Sequence, residues 1–287
     1  MIAPVALRHI LVATDLSPAA EHAVEHGRLL AGRFHASLTL FHAVEVPDLE
    51  FAHWSFAQDH EIWDRAVAQA RHVLLQRARD MPQPAEVIVQ KTGSTHAAIV
   101  DVIRKTQPDL VVMATHGRRG VAHLLLGSVT EKVIQRIYRP VLCLRQPEHG
   151  PRFPYRKILV PTDLSLASRL AFPLAAGIAR ATGADVVSVH VVPDPSRATL
   201  SDAPQQPVVL PSEVHLWKFV QADFAPLPVT AQVLSGAIWE RIVHVARVEQ
   251  VDLIVMATRG HDSLADHVLG SNTERVVRHA SCPVLVA

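Results

Sequence analysis

Along the chain, short continuous apolar runs alternate with segments whose apolar residues recur every three or four positions. A short apolar run between turn signals reads as a strand buried on both faces, and the three-to-four spacing reads as an amphipathic helix. The first half therefore predicts a strand over Ile10–Ala13, a helix over Ala19–Phe34 and a β-rich stretch over Ser37–Val44. A helix over His60–Arg79, a strand over Glu86–Gln90 and a helix over Ala97–Thr106 follow, then a strand over Leu110–Ala114, a helix over Thr130–Ile137 and a strand over Val141–Leu144. Ser17 reads as an N-cap and Pro18 as the first helical position, where a missing N–H costs nothing. Strands alternating with helices imply right-handed βαβ units and a parallel sheet covered on both faces, so the expected class is α/β, a five-stranded doubly wound sandwich.

The pattern occurs twice. His9-Ile-Leu-Val-Ala-Thr-Asp-Leu-Ser17 returns 148 residues later as Lys157-Ile-Leu-Val-Pro-Thr-Asp-Leu-Ser165. Asp109-Leu-Val-Val-Met-Ala-Thr-His-Gly117 returns 143 residues later as Asp252-Leu-Ile-Val-Met-Ala-Thr-Arg-Gly260, and Gly127-Ser128 and Pro140 keep that offset to Gly270-Ser271 and Pro283. Two copies of one domain are expected, over residues 1–146 and 156–287, joined by a Pro- and Gly-rich linker over 147–155. In the second copy the proline-rich stretch Asp194–Pro211 stands where the first has Trp54, Trp63 and a long helix, which predicts a loop and a shorter second helix.

Composition narrows the function classes. Hydrophobic residues at 49% and charged residues at 19% supply packed cores rather than disorder. Lys and Arg number 28 against 27 Asp and Glu, a balance with no basic field for nucleic acid. Cys143 and Cys282 alone make neither a disulfide framework nor a Cys-x-x-Cys metal site. No apolar run is long enough to span a bilayer, and Met1–Leu7 lacks a signal-peptide pattern. A cytoplasmic protein with no nucleic-acid and no membrane partner is expected.

In an open parallel sheet, ligands bind beyond the carboxyl ends of the strands. Asp15 and Asp163 lie just after the first strand of each copy, and Gly117 and Gly260 just after the fourth. Nine residues further on, Gly127-Ser128 and Gly270-Ser271 open the next helix, and Ser128-x-x-Glu131 and Ser271-x-x-Glu274 read as capping boxes. A glycine followed by a helix start offers backbone N–H groups to a phosphate at close approach. The aspartate is placed for a hydroxyl or a metal ion. His22-x-x-Glu25-His26 spells a helical zinc motif, but the second copy has Leu170, Pro173 and Leu174 there and no third ligand is evident, so a solvated helix face is expected and no metal site is assigned. Walker A, Gly-x-Gly-x-x-Gly and Gly-x-Ser-x-Gly sequences are all absent, and no catalytic residue is assigned. Cys143 reads as buried and inert and Cys282 as the more exposed thiol; Trp54 and Trp63 read as a helix-packing pair.

These residues together resemble the universal stress protein (UspA-like) family in its tandem two-domain form. The resemblance rests on Thr-Asp-x-Ser after the first strand, on His42 and His190, on the Asp-Leu-Val/Ile-Val-Met run and on the terminal Pro-Val-Leu strand. Nucleotide-binding members carry Gly-x2-Gly-x9-Gly-[Ser/Thr], and both copies here replace the first glycine by alanine, Ala114 and Ala257, adding a methyl group where backbone approaches ligand. The resemblance implies a Rossmann-like fold, akin to the adenine nucleotide alpha hydrolases, that binds ATP (or AMP or ADP), with or without Mg2+.

By that resemblance Asp15 and Asp163 meet the ribose, Ala43, Val191, Met113 and Met256 flank the adenine, and Gly117, Gly127, Ser128 and Val129 hold the phosphates, as do Gly260, Gly270, Ser271 and Asn272. Ala13, Thr14, Ala114, His116 and Arg118 complete the first site, and Pro161, Thr162 and Ala257 the second. Arg118-Arg119 favours phosphate in the first copy, whereas His261-Asp262 opposes it in the second, so the first is the expected site. The resemblance also implies that Val141–Leu144 and Val284–Val286 pair within the chain as a pseudo-dimer, with room for a further homodimer. Three functions remain open: a nucleotide-gated stress-response module acting on an unidentified protein partner, a slow ATPase or self-phosphorylating enzyme with Ser128 or Thr130 as acceptor, and a scaffold without nucleotide.

Overall fold

The computed structural model describes residues 7–46, 56–81, 83–115, 127–145, 152–193, 211–258 and 269–287. The chain divides into two compact units, one over Leu7–Pro151 and one whose main segment is Arg152–Ala287. Phe153 and Tyr155, inside the stretch that composition marks as linker, stack edge to face at 5.3 Å. Tyr155 is fully buried and is one of the largest core side chains of the second unit.

In the first unit, β1 (His9–Ala13), β2 (Ser37–Glu45), β3 (Ala85–Thr92), β4 (Leu110–Ala114) and β5 (Val141–Leu144) form a parallel sheet in the order β3-β2-β1-β4-β5. The helices are α1 (Pro18–Phe34), α2 (Phe56–Arg79), α3 (Thr95–Thr106) and α4 (Ser128–Ile134). The chain winds outward from β1 to β3, then returns to the other side of β1 as β4. This reversal opens a crevice between the carboxyl ends of β1 and β4, where Ala13 and Met113 are register partners. Ile10, Leu11, Val12 and the β4 residues Leu110–Val112 are completely buried, as strands covered on both faces require. Ser17 caps α1, accepting the Ala20 amide at 3.2 Å, with Pro18 next. Gly27 lets α1 approach β1, since a Cβ there would lie 2.3 Å from Val12 Cγ2.

The second unit repeats the plan with β6 (Lys157–Pro161), β7 (Asp185–Val192), β8 (Val229–Ser235), β9 (Leu253–Met256) and β10 (Val284–Val286), in the order β8-β7-β6-β9-β10. Its helices are α5 (Leu166–Arg169), α6 (Phe172–Thr182), α7 (Glu213–Phe224), α8 (Ile238–Val248) and α9 (Ser271–His279). Two departures from the first unit have local causes. The equivalent of α1 is broken into α5 and α6, because Pro173 has no N–H to give the Arg169 carbonyl and its ring crowds it. Leu170 and Ala171 instead bond to Ala167 and Ser168, three residues back. The second departure is the expected one: α7 has 12 residues against 24 in α2. The 194–210 stretch and Trp54 lie outside the described residues, and Trp63 is half-buried on α2.

Candidate functional site

The turn after β1 is built from its own side chains. Thr14 N–H donates to Phe41 O at 2.9 Å, anchoring the turn on β2. Leu16 N–H donates to Thr14 Oγ1 at 3.1 Å and Ser17 N–H to Asp15 Oδ1 at 3.0 Å. Those bonds hold Leu16 at φ 64°, a left-handed conformation unfavourable for a branched side chain. The ring of His42, buried on β2, donates from Nδ1 to Thr14 O at 2.8 Å, since a carbonyl only accepts. The second unit reproduces the device: Thr162 N–H to Val189 O at 2.9 Å, Leu164 N–H to Thr162 Oγ1 and Ser165 N–H to Asp163 Oδ1 both at 3.0 Å, and His190 Nδ1 to Thr162 O at 2.8 Å. Leu164 also sits at φ 64°. Each aspartate thus uses one oxygen to form the turn, and the half-buried carboxylate stays at the crevice mouth.

Across the crevice, α4 is seated on the end of β4. Gly127 N–H donates to Thr115 O at 2.7 Å and Thr130 Oγ1 to Ala114 O at 2.9 Å. A Cβ on Gly127 would lie 2.5 Å from Thr115 O, so only glycine fits. In the second unit Gly270 N–H donates to Thr258 O at 2.9 Å and Thr273 Oγ1 to Ala257 O at 3.1 Å. The expected capping boxes do not form. The N-caps are Gly127 and Gly270, and Ser128 and Ser271 are the first helical residues. The Glu131 amide bonds to the Gly127 carbonyl at 3.0 Å and the Glu274 amide to Gly270 O at 2.9 Å. A serine followed at the third position by glutamate marks a helix start without saying which residue is the cap, and the close seat on β4 decides for glycine. The helix also ends at Ile134, three residues short of expectation, where the last turn tightens and the Arg136 amide donates to Val133 O at 2.9 Å, three residues back.

Several expected residues therefore share one crevice. Thr14 and Asp15 stand at the end of β1, Met113 and Ala114 end β4, and Gly127, Ser128 and Val129 start α4; Ala43 lies late in β2. Ala13 and Met113 are buried, Ala43 and Val129 half-buried and Ser128 exposed. The matching residues Pro161, Thr162, Asp163, Val191, Met256, Ala257, Gly270, Ser271 and Asn272 hold the corresponding positions in the second unit. Pro161 ends β6 without an N–H to donate to a neighbouring strand. His116, Gly117, Arg118 and Gly260, with Arg119, His261 and Asp262, lie outside the described residues. Of the two hydroxyls considered as phosphoryl acceptors, Thr130 is buried and donates to Ala114 O, whereas Ser128 is exposed. The threonine tethers and the left-handed Leu16 and Leu164 are not among the expected site features; the repeat of Thr130 as Thr273 at the 143-residue offset is the trace the tethers leave in the sequence.

The zinc-motif residues part company. His26 is buried on α1, and desolvation lowers its pKa to about 4. Glu25 is lowered by its hydrogen bond and charge contact with Arg28, at 2.6 Å. Among the described residues no three His, Cys, Asp or Glu side chains group to hold a metal. Both thiols are pushed up to about 12 by burial, so Cys282, half-buried, is no more nucleophilic than Cys143. No described helix is long and apolar enough to cross a membrane.

A family model described as the Universal stress protein family matches residues 6–145 and again residues 154–287. The chain belongs to the universal stress protein family. A universal stress protein of Mycobacterium tuberculosis is 27% identical over 304 aligned residues, covering 97% of this chain and 94% of the relative. One from Methanocaldococcus jannaschii is 33% identical over 149 residues, covering 46% of the chain and 81% of the relative. The crystal structure of an Archaeoglobus fulgidus universal stress protein superposes with a TM-score of 0.73 at 20% identity, covering 97% of both chains. This universal stress protein is accordingly a tandem, with both copies carrying the Rossmann-like α/β fold and the same crevice.

Proposed function

We propose that this tandem universal stress protein is a cytoplasmic, ATP-binding stress-response module in which nucleotide occupancy of the first copy changes its affinity for a protein partner. The observation that carries the reading is the glycine seat. Gly127 lies so tightly on the Thr115 carbonyl that the first-turn amides of α4 start at the lip of the crevice, across from the Asp15 turn. The Gly127 amide is committed to Thr115 O, while the amides of Ser128, Val129 and Thr130 have no intrahelical partner and no side-chain cap, so these three suit phosphate oxygens. At seven residues α4 acts through those local amides more than through a macrodipole. The residues present fit an adenine nucleotide: apolar Ala43 and Met113 for a base, the Asp15 carboxylate for ribose hydroxyls or Mg2+, and Gly127, Ser128 and Val129 for phosphate. Arg118-Arg119 in the first copy against His261-Asp262 in the second ranks the first copy ahead.

Calorimetric titration of nucleotide-stripped protein with Mg·ATP, and with AMP and ADP in its place, tests this. Saturable binding near one site per chain is expected. Gly127→Asp should remove most of it, and Gly270→Asp much less. No heat, together with no thermal shift at millimolar ATP, would leave an interaction scaffold without nucleotide.

A further inference from the structure

Both units tie their first helix to the last turn of their second helix by an ion pair, and the two pairs have opposite polarity. In the first unit Glu21 on α1 pairs with Arg77 in the last turn of α2. In the second, the residue 148 positions on is Arg169, and its Nε lies 2.8 Å from Asp223 Oδ2, one residue from the end of α7. The Asp223 side chain is only 1% exposed, and the Arg169 guanidinium also lies 5.6 Å from the Phe219 ring centre. The contact is retained between copies while each partner has changed sign.

We infer that this reversal is a sorting device that makes each second helix dock on its own copy while the chain folds. The hazard comes from the repeat itself. Two similar sheets on one chain offer each helix two similar seats, and misassembly between like domains is a characteristic failure of tandem proteins. Twenty residues separate the end of β7 from the start of α7, a length of chain that spans at most about 70 Å. Docked on the wrong copy, α2 sets Arg77 against Arg169, and α7 sets Asp223 against Glu21. Both wrong arrangements oppose like charges, and the second strands a carboxylate that is buried in its own seat. Correct docking satisfies both pairs, so the same two contacts attract at home and repel away.

The test is refolding of the full chain from urea. Glu21→Arg with Arg77→Glu keeps an ion pair in the first unit but gives it the second unit's polarity, so wrong docking becomes attractive. Glu21→Gln with Arg77→Gln removes the pair without creating that attraction. The swapped variant is expected to keep its equilibrium urea midpoint while its native yield drops about threefold, a partition typical of one charge contact. The loss should not depend on protein concentration, because the wrong seat is on the same chain. The neutral variant should lose less. A swapped variant that refolds as well as the neutral one overturns the inference. Should the swap also lower the midpoint, yields are compared at urea concentrations giving equal native fractions. A deficit that persists there supports sorting, and one that vanishes refutes it.

Discussion

Replacing Gly127 by alanine probes the seat of α4 directly. The added Cβ would lie 2.5 Å from Thr115 O, whereas a relaxed carbon–oxygen approach is about 3.3 Å. The helix start must therefore back away by roughly 0.8 Å. That stretches the Gly127 N–H to Thr115 O bond from 2.7 Å and the Thr130 Oγ1 to Ala114 O bond from 2.9 Å. Weakening two bonds worth about 1 kcal/mol each predicts a loss of about 2 kcal/mol, or a Tm lower by about 6 °C for a domain of this size. The assays are calorimetric unfolding and Mg·ATP titration on the same preparations. Displaced amides should also cost at least about tenfold in affinity, equivalent to 1.4 kcal/mol. Thr130→Val should cost about 1 kcal/mol alone, and less when combined with Gly127→Ala, since both act on one seat. An alanine variant that melts with the parent and binds fully would refute the steric argument. One that is destabilised but binds ATP normally would sink the nucleotide reading instead.

Other expectations follow from single contacts. Asp15→Asn keeps an oxygen for the Ser17 amide, so its unfolding free energy should stay within about 0.5 kcal/mol of the parent while Mg·ATP affinity falls about tenfold; equal affinity would show that the charge has no part in binding. Because the folded pKa of His26 is depressed to about 4, neutral His26 lends stability that is fully present above pH 6.5 and is lost as pH falls towards 4, by about 3 kcal/mol in all. His26→Leu should flatten urea midpoints between pH 7 and pH 5 relative to the parent, and an unchanged slope would contradict the assignment. Gly27→Ala should destabilise by about 1–3 kcal/mol, despite a helix-propensity gain of about 1 kcal/mol, because its Cβ strikes Val12; a stabilised variant would mean α1 shifts freely. With both thiols pushed up to about 12, a thiol reagent at pH 8 should label neither cysteine until urea unfolds the chain, and prompt labelling of Cys282 in the native state would be the contrary result.

What could be seen in the sequence was whatever depends on neighbours along the chain. The β1 and β4 runs, the Ser17 cap with Pro18 and the shorter second helix of the second copy all follow from local pattern, and the repeat supplied a second copy of each. The seat of α4 did not, because Gly127 is explained by a carbonyl twelve residues away that only folding brings to it. The serine–glutamate pattern beside it pointed one residue too far along. The break at Pro173 was readable in principle, since an interior proline interrupts a helix. The two helix-tying ion pairs were invisible, because their partners lie 56 and 54 positions apart and change sign between copies.

The Pro173 break gives the two copies unequal mechanics. In the first unit, α1 runs unbroken for 17 residues, a rod of about 25 Å whose near end is the Ser17 cap beside the Asp15 turn. A tilt imposed at that turn swings the far end at His35, as a stiff lever does. In the second unit the same push enters the four-residue α5 and meets a break before α6, with α5 held separately by the Arg169–Asp223 pair. One copy joins its β1 turn to the far end of its first helix by a single rod, and the other by two pieces.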